Sequence, residues 1–253
     1  MVKEIYRGIK AYAGAFELIS KLKLWRYFSI PITISLLTAI AIGISAYGFS
    51  DNLGQLISKA WVWEWGKDTF TTISNIISGI LIIAVGLVLY KHIIMALSAP
   101  FMSPVSEKIE QHILGEQQEH RNTSFQQQLW RGIRINTRNL FMELGLTLVI
   151  LIISFIPVIG WITSLLLFVV QAYYAGFGNM DYTLERHFKY NDSLDFVRKH
   201  RGTAIGNGIV FMLFLLIPVI GVVLVLPLSV TAATVKTVEL LNAEKSKTNI
   251  NTI

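Results

Sequence analysis

The sequence predicts an all-α integral membrane protein, and three observations predict it. Four long stretches, 27–49, 69–90, 144–180 and 202–235, contain no charged residue. Only 15% of the residues are charged and 53% are hydrophobic, whereas soluble domains run near a quarter charged. The basic residues gather between the uncharged stretches instead of spreading along the chain. A soluble domain this apolar would expose a surface that water could not cover. The 253 residues include no cysteine, which excludes disulfides, thiolate metal sites and cysteine nucleophiles. A net charge of +6 with this hydropathy points to an anionic membrane surface and not to nucleic acid. A single membrane domain over 1–253 is expected.

Residues 1–26 carry the first element. Ile5, Ile9, Tyr12, Phe16 and Ile19 recur at helical spacing, with Lys3, Arg7, Lys10, Glu17 and Lys21 on another stripe. This amphipathic helix has two placements: in the headgroup plane, or packed on the protein's own cytoplasmic face. No signal peptide is expected, because the first uncharged run starts only at Tyr27. Runs 27–49 and 69–90 read as spanning helices, since about 20 residues cross ~30 Å of hydrocarbon. Trp61, Trp63 and Trp65 in the connecting loop suit a membrane–water interface.

Residues 91–143 are expected to form a helical segment on the cytoplasmic side, with Pro100 and Pro104 breaking the second spanning helix. Ser103 followed by Pro104 reads as the N-cap and first residue of a new helix, continued by Ile109, Ile113 and Leu114. A helix start presents unpaired N–H groups that attract anions, and Glu107 in its first turn suits the dipole. An ordinary cap is the plain alternative.

The stretches 144–180 and 202–235 contain the same punctuation, Phe155-Ile-Pro-Val-Ile-Gly160 and Leu216-Ile-Pro-Val-Ile-Gly221. Proline stops a helix and glycine permits reversal, so hairpins are expected to turn at Pro157–Gly160 and Pro218–Gly221. Arms of 13 to 16 residues reach only ~20–24 Å. The hairpins are therefore expected to be re-entrant, with a polar tail over 236–253. The repeat reads either as a pseudo-symmetric pair or as two uses of a convenient turn. With two spans and two returning hairpins, 20 of 22 basic residues share one side. That side is cytoplasmic by the positive-inside rule, as are both termini.

No phosphate loop, zinc-protease or nucleophile-elbow motif occurs, and the five histidines lack ligand spacing. No enzyme activity, cofactor or metal is expected. Arg131, Arg134 and Arg138 form an i, i+3, i+7 stripe, a basic rim suited to lipid phosphates or to drawing in an anionic solute. None of the proposed membrane segments contains a charge, which argues against a proton path through acidic side chains. Any anion path would rely on backbone and hydroxyl donors, with Asn75, Gln171 and Asn207 as the amides at depth.

Ala99-Pro-Phe101 with Glu107, the two Ile-Pro-Val-Ile-Gly turns, and Met180-Asp-Tyr-Thr-Leu-Glu-Arg-His187 followed by Phe196-Val-Arg-Lys-His-Arg-Gly202 resemble the CysZ sulfate permeases and their etoposide-induced-protein relatives. The similarity covers nearly the whole chain in the same order. It implies an all-helical fold of two spanning helices and two partly inserted hairpins. It also implies homo-oligomeric assembly in the bacterial inner membrane, and sulfate import for cysteine synthesis. The family's sulfate site resembles a Gly-Leu-Leu-Ala-Glu helix start facing an arginine pair. Here those positions are Ser103-Pro104-Val105-Ser106-Glu107 and Trp25-Arg26, so only Glu107 and Arg26 match in kind. Pro104 removes an N–H donor and Trp25 removes a guanidinium fork. The resemblance thus implies an oxyanion bound by Arg26, Ser103, Val105, Ser106 and Glu107. A non-transporting scaffold, or a protein binding lipid or a partner, is the alternative on the same fold.

Overall fold

The computed structural model describes residues 1–61, 64–115, 123–154, 160–217 and 220–250, and all regular structure among them is helical. A short α1 (Val2–Lys10) leads through a 3-10 turn (Ala11–Gly14) into α2 (Ala15–Lys21). The long helices α3 (Trp25–Ser58) and α4 (Lys67–Leu114) follow. Next come α5 (Phe125–Ser154), α6 (Gly160–His187), α7 (Tyr190–Lys199), α8 (Arg201–Leu215) and α9 (Ile220–Ile250). Among the described residues, five helices are long and apolar enough to cross a membrane: α3, α4, α5, α6 and the Val223–Ser246 part of α9. In α3, Leu36, Leu37, Ile40 and Ile44 face outward, as do Leu148, Leu151 and Ile152 in α5. Such side chains need lipid to cover them.

α3 and α4 pair along their length. Gly86 lies directly against Ile42, Ser35 hydrogen-bonds Tyr90, and Asn75 Nδ2 donates to Asp51 Oδ1 at 3.0 Å. In the connection between them Trp61 stacks on Phe70 at 4.9 Å and Trp65 is exposed, while Trp63 lies outside the described residues.

The expected break at Pro100 and Pro104 does not occur. α4 is one helix of 48 residues with both prolines inside it, so Ser103 is not an N-cap and Pro104 is not a first helical residue. An interior proline normally costs about 3 kcal/mol through a lost hydrogen bond and a clash. Neighbouring elements offset that cost here. Gly132 of α5 approaches so closely that a Cβ there would sit 2.8 Å from the Ala96 carbonyl oxygen, which Pro100 deprives of its helical donor. The Ser103 carbonyl receives Arg186 Nη1 at 3.1 Å and Ser106 Oγ at 2.9 Å. Ala99, Met102, Val105 and Ile109 are all buried, so the segment is clamped on its inner face.

Three hairpin arms are longer than the uncharged runs alone predict. α5 and α6 have 30 and 28 residues, because both helices continue into the charged stretches, where α4 and α7 supply partners. Each is longer than a bilayer requires. In the second pair α9 has 31 residues, and only α8, with 15, is too short to span at about 22 Å. Pro157 and Pro218 lie outside the described residues. Gly160 opens α6, and the Gly221 N–H bonds the Ile217 carbonyl at 2.9 Å in the first turn of α9.

One face of the N-terminal helix packs on the protein itself, while Val2 and Tyr6 stay exposed. α1 packs on α8, where Gly8 meets the backbone of Thr203, Gly206 and Asn207. α8 in turn lies almost backbone to backbone on α6: a Cβ at Gly208 would come 1.7 Å from the Ala172 carbonyl oxygen. One hydrophobic core joins Ile19, Leu24 and Phe28 to Ile94, Met102, Ile109, Phe211 and Val230. A second joins Ile135, Phe177, Met180, Leu184, Phe196 and Val197.

Candidate functional site

The long helices bring most of the charge to one end of the bundle, and much of it is buried there. Arg186 of α6 donates from Nη2 to Glu110 Oε2 of α4 at 2.9 Å, and His187 Nε2 lies 2.8 Å from Glu110 Oε1. Arg186 Nη1 also reaches Ser106 Oγ at 2.6 Å and the Tyr182 carbonyl at 3.1 Å. Arg131 of α5 grips Asp181 in a fork, with Nε to Oδ2 at 3.0 Å and Nη2 to Oδ1 at 2.9 Å. The same guanidinium reaches the Phe188 carbonyl at 2.8 Å and Ser193 Oγ at 2.5 Å. A third group joins Lys91 Nζ to Glu143 Oε1 at 2.7 Å, with His92 Nε2 at 3.2 Å from Glu143 Oε2. Buried ion pairs need such multiple contacts, because desolvation otherwise exceeds the Coulomb gain. Glu185 is the carboxyl left over. It is 3% exposed, and its Oε1 has no hydrogen-bond partner among the described residues.

Next to this ionic layer lies a set of uncharged donors between α6, α8 and α9. Asn179 Nδ2 donates to Asn207 Oδ1 at 2.8 Å, and Asn207 Nδ2 to the Ser229 carbonyl at 3.0 Å. Tyr12 Oη donates to the Asn207 carbonyl and pairs with Ser229 Oγ, each at 2.8 Å. Thr183 and Thr234 join their hydroxyls at 3.1 Å. Burial pushes the Tyr12 phenol well above its usual range, against the smaller opposite effect of Ser229, so it stays a neutral donor.

The five residues expected to hold an anion do not converge. Arg26 is exposed in the first turn of α3, where it donates to Tyr27 Oη at 3.1 Å and lies 4.9 Å from that ring. Lys108 of α4 sits over the same ring at 5.1 Å, which brings Arg26 to the outer face of the 103–110 segment. Glu107 is half-buried and accepts from Gln111 Nε2 at 3.3 Å. Ser103, Val105 and Ser106 point inward instead. Val105 is fully buried, Ser106 serves Arg186, and the Ser103 hydroxyl accepts from Gln128 Nε2 at 3.2 Å. Because α4 does not start at Ser103, its N–H groups there belong to a helix interior. Trp25, where an arginine was sought, donates to Ser20 Oγ at 3.3 Å and packs edge-on against Phe16 and Phe28.

The arginine stripe divides in the same way. Arg131 is consumed by Asp181, Arg134 stacks on Tyr190 at 3.9 Å, and Arg138 pairs with Asn139 Oδ1 at 2.9 Å beside the Phe177 ring. Sequence reasoning missed Glu110, Asp181, Arg186, His187 and the Lys91–Glu143 pair as buried groups. A signal for three of these was present: Met180–His187 packs acid, base and histidine directly after an uncharged run, which marks a helix that stays inside protein.

Several helices of membrane-crossing length, with a buried ionic layer beside a set of uncharged donors, define a polytopic membrane protein. The chain belongs to the family described as sulfate transporter CysZ/etoposide-induced protein 2.4, whose model matches residues 11–225. Two relatives from Pseudomonas aeruginosa, strains LESB58 and PAO1, are each named sulfate transporter CysZ. Each is 27% identical to this chain over 237 residues, covering 88% of the chain and 91% of the relative.

Proposed function

We propose that this chain is a permease for sulfate, or an oxyanion of like shape and charge, acting in the bacterial cytoplasmic membrane. The relatives' name supports the substrate. The observation that carries the reading is the donor set around Asn207. A partly dehydrated divalent anion needs N–H and O–H donors and no bare carboxylate in contact. Asn179, Asn207, Tyr12, Ser229, Thr183 and Thr234 supply amides and hydroxyls. Nearby Glu110, Asp181 and Glu143 are each neutralised by a cation.

Arg26 and Lys108 form the recruiting surface, with Arg134 and Arg138 on the same basic rim. Ser103, Val105 and Ser106 act as the packed segment that holds Glu107 and Lys108 opposite Arg26. The bias of basic residues supports termini on the cytoplasmic side and an inward path that feeds cysteine synthesis. Homo-oligomeric assembly belongs to the same proposal.

Uptake of radiolabelled sulfate into proteoliposomes tests it. Native protein should exceed empty vesicles, and Arg26→Ala should lower uptake at subsaturating sulfate by about tenfold, the value of one charge-assisted contact. Uptake equal to that of empty vesicles would return the chain to the second reading, a lipid- or partner-binding protein. The engagement of Ser103 and Ser106 inside the bundle favours that reading.

A further inference from the structure

A cleft of about 280 Å³ opens between the start of α5 and the α6–α7 junction, lined by Gln127, Trp130, Arg134, Glu185, Lys189 and Tyr190 among others. Its rim is cationic. Arg134 and Lys189 are exposed, and neither forms a salt bridge among the described residues. Arg131, which also lines the cleft, is already committed to Asp181, Phe188 and Ser193. Its floor is the opposite. Glu185 is 3% exposed, and one of its carboxyl oxygens is held by the Ser103 side chain. Its Oε1 has no partner among the described residues. Trp130 is 68% exposed at the mouth, and Tyr190 already carries Arg134 on its face.

A bare anion would satisfy the rim but meet an unpaired carboxyl at the floor. A simple cation would satisfy the floor but be repelled by the rim. A buried acceptor without a donor is unfavourable, so the floor calls for an N–H donor a few bonds from an anionic group. An aromatic wall also suits a cationic head. We infer that this cleft binds phosphoethanolamine chemistry, with phosphate at Arg134 and Lys189 and the primary ammonium at Glu185. The ligand comes either from an ethanolamine phospholipid headgroup or from a soluble phosphoethanolamine. The exposed tryptophan at the mouth suits a headgroup position. The site shares Arg134 with the basic rim but is separate from Arg26 and from the Asn207 donors, and its test reads lipid binding and not transport.

The experiment is thermal unfolding of the full chain in detergent. Added probes are short-chain phosphatidylethanolamine, phosphatidylcholine, phosphatidylglycerol and free O-phosphoethanolamine. A ligand that binds only the fold must raise the melting temperature. Phosphatidylethanolamine should bind about tenfold more tightly than phosphatidylcholine, whose quaternary nitrogen has no N–H, and than phosphatidylglycerol, which has no ammonium. Glu185→Gln should erase most of that preference, and the exposed pair Arg134→Ala with Lys189→Ala should weaken all three lipids. Stabilisation by free O-phosphoethanolamine alone would identify the soluble source. Equal shifts with the three lipids and none with O-phosphoethanolamine would overturn the site, as would an ethanolamine preference that survives Glu185→Gln in a folded variant. If Glu185→Gln does not fold, the lipid comparison on native protein and the rim pair decide.

Discussion

Replacing Arg186 with methionine removes an ion pair that ties α4 to α6 at the charged end. The guanidinium is 4% exposed and pairs with a Glu110 carboxylate that is 2% exposed. Breaking one side of a buried pair costs about 3–5 kcal/mol, because the other charge is left uncompensated. Two details place this case near the lower figure, about 3 kcal/mol. Glu110 keeps His187 at 2.8 Å, and the Ser103 carbonyl keeps Ser106 Oγ at 2.9 Å. In addition, Arg186 Nε has no acceptor among the described residues, so its removal loses nothing there. For a chain of this size about 3 kcal/mol lowers the melting temperature by on the order of 10 °C. Glu110→Leu alone should cost a similar amount, since it strands Arg186. The double variant Arg186→Met with Glu110→Leu should cost clearly less than the two single changes together, with about 2 kcal/mol of coupling. Thermal unfolding of the four proteins in one detergent measures this. Additive costs, agreeing within about 0.5 kcal/mol, would show that the pair is not a structural tie.

Three further outcomes follow from particular contacts. Pro104→Ala should stabilise the protein slightly, because position 104 lies inside α4 and alanine restores a helical donor. A loss of stability on the same scale would instead mark 104 as a first helical residue, where proline is favoured. Tyr12→Phe should cost about 1–2 kcal/mol by leaving buried acceptors at Asn207 and Ser229 short of a donor, read as a lower melting temperature at neutral pH. The native phenol titrates higher in the fold than in the unfolded chain, so its stabilising effect is complete below about pH 10 and lost as pH rises beyond it. The native protein should therefore lose more stability than Tyr12→Phe between about pH 9 and pH 11, and parallel losses would contradict the assignment.

The membrane class and the order of helices were legible because lipid exposure demands long uncharged runs, and such runs are visible in one dimension. Family membership was legible in the Met180–His187 and Phe196–Gly202 stretches. The helix start at Ser103–Pro104 was misread for a physical reason. Proline rules describe isolated helices, whereas here Gly132 packs on the Ala96 carbonyl that Pro100 leaves open, and Arg186 holds the Ser103 carbonyl one turn on, both from distant parts of the sequence. The hairpin arms were misjudged because a charge was taken as the end of a helix. Arg131 and Asp181 show otherwise: each lies on a helix that continues past it, and each neutralises the other across 50 positions. Arg186 and Glu110 do the same across 76 positions. Pairings at such separations leave no local pattern, so the arginine stripe read as a basic rim for lipid phosphates or an anionic solute. Arg134 alone of the three kept an exposed position.

The most direct test of the account is sulfate flux through the Asn207 layer itself. Radiolabelled sulfate uptake into proteoliposomes should be well above empty vesicles with native protein. With Asn207→Leu it should fall by at least tenfold, at matched insertion of folded protein, because the change removes an amide that bridges α6 and α9. Uptake by Asn207→Leu equal to the native rate would place the path elsewhere, and no uptake by the native protein would contradict a permease altogether.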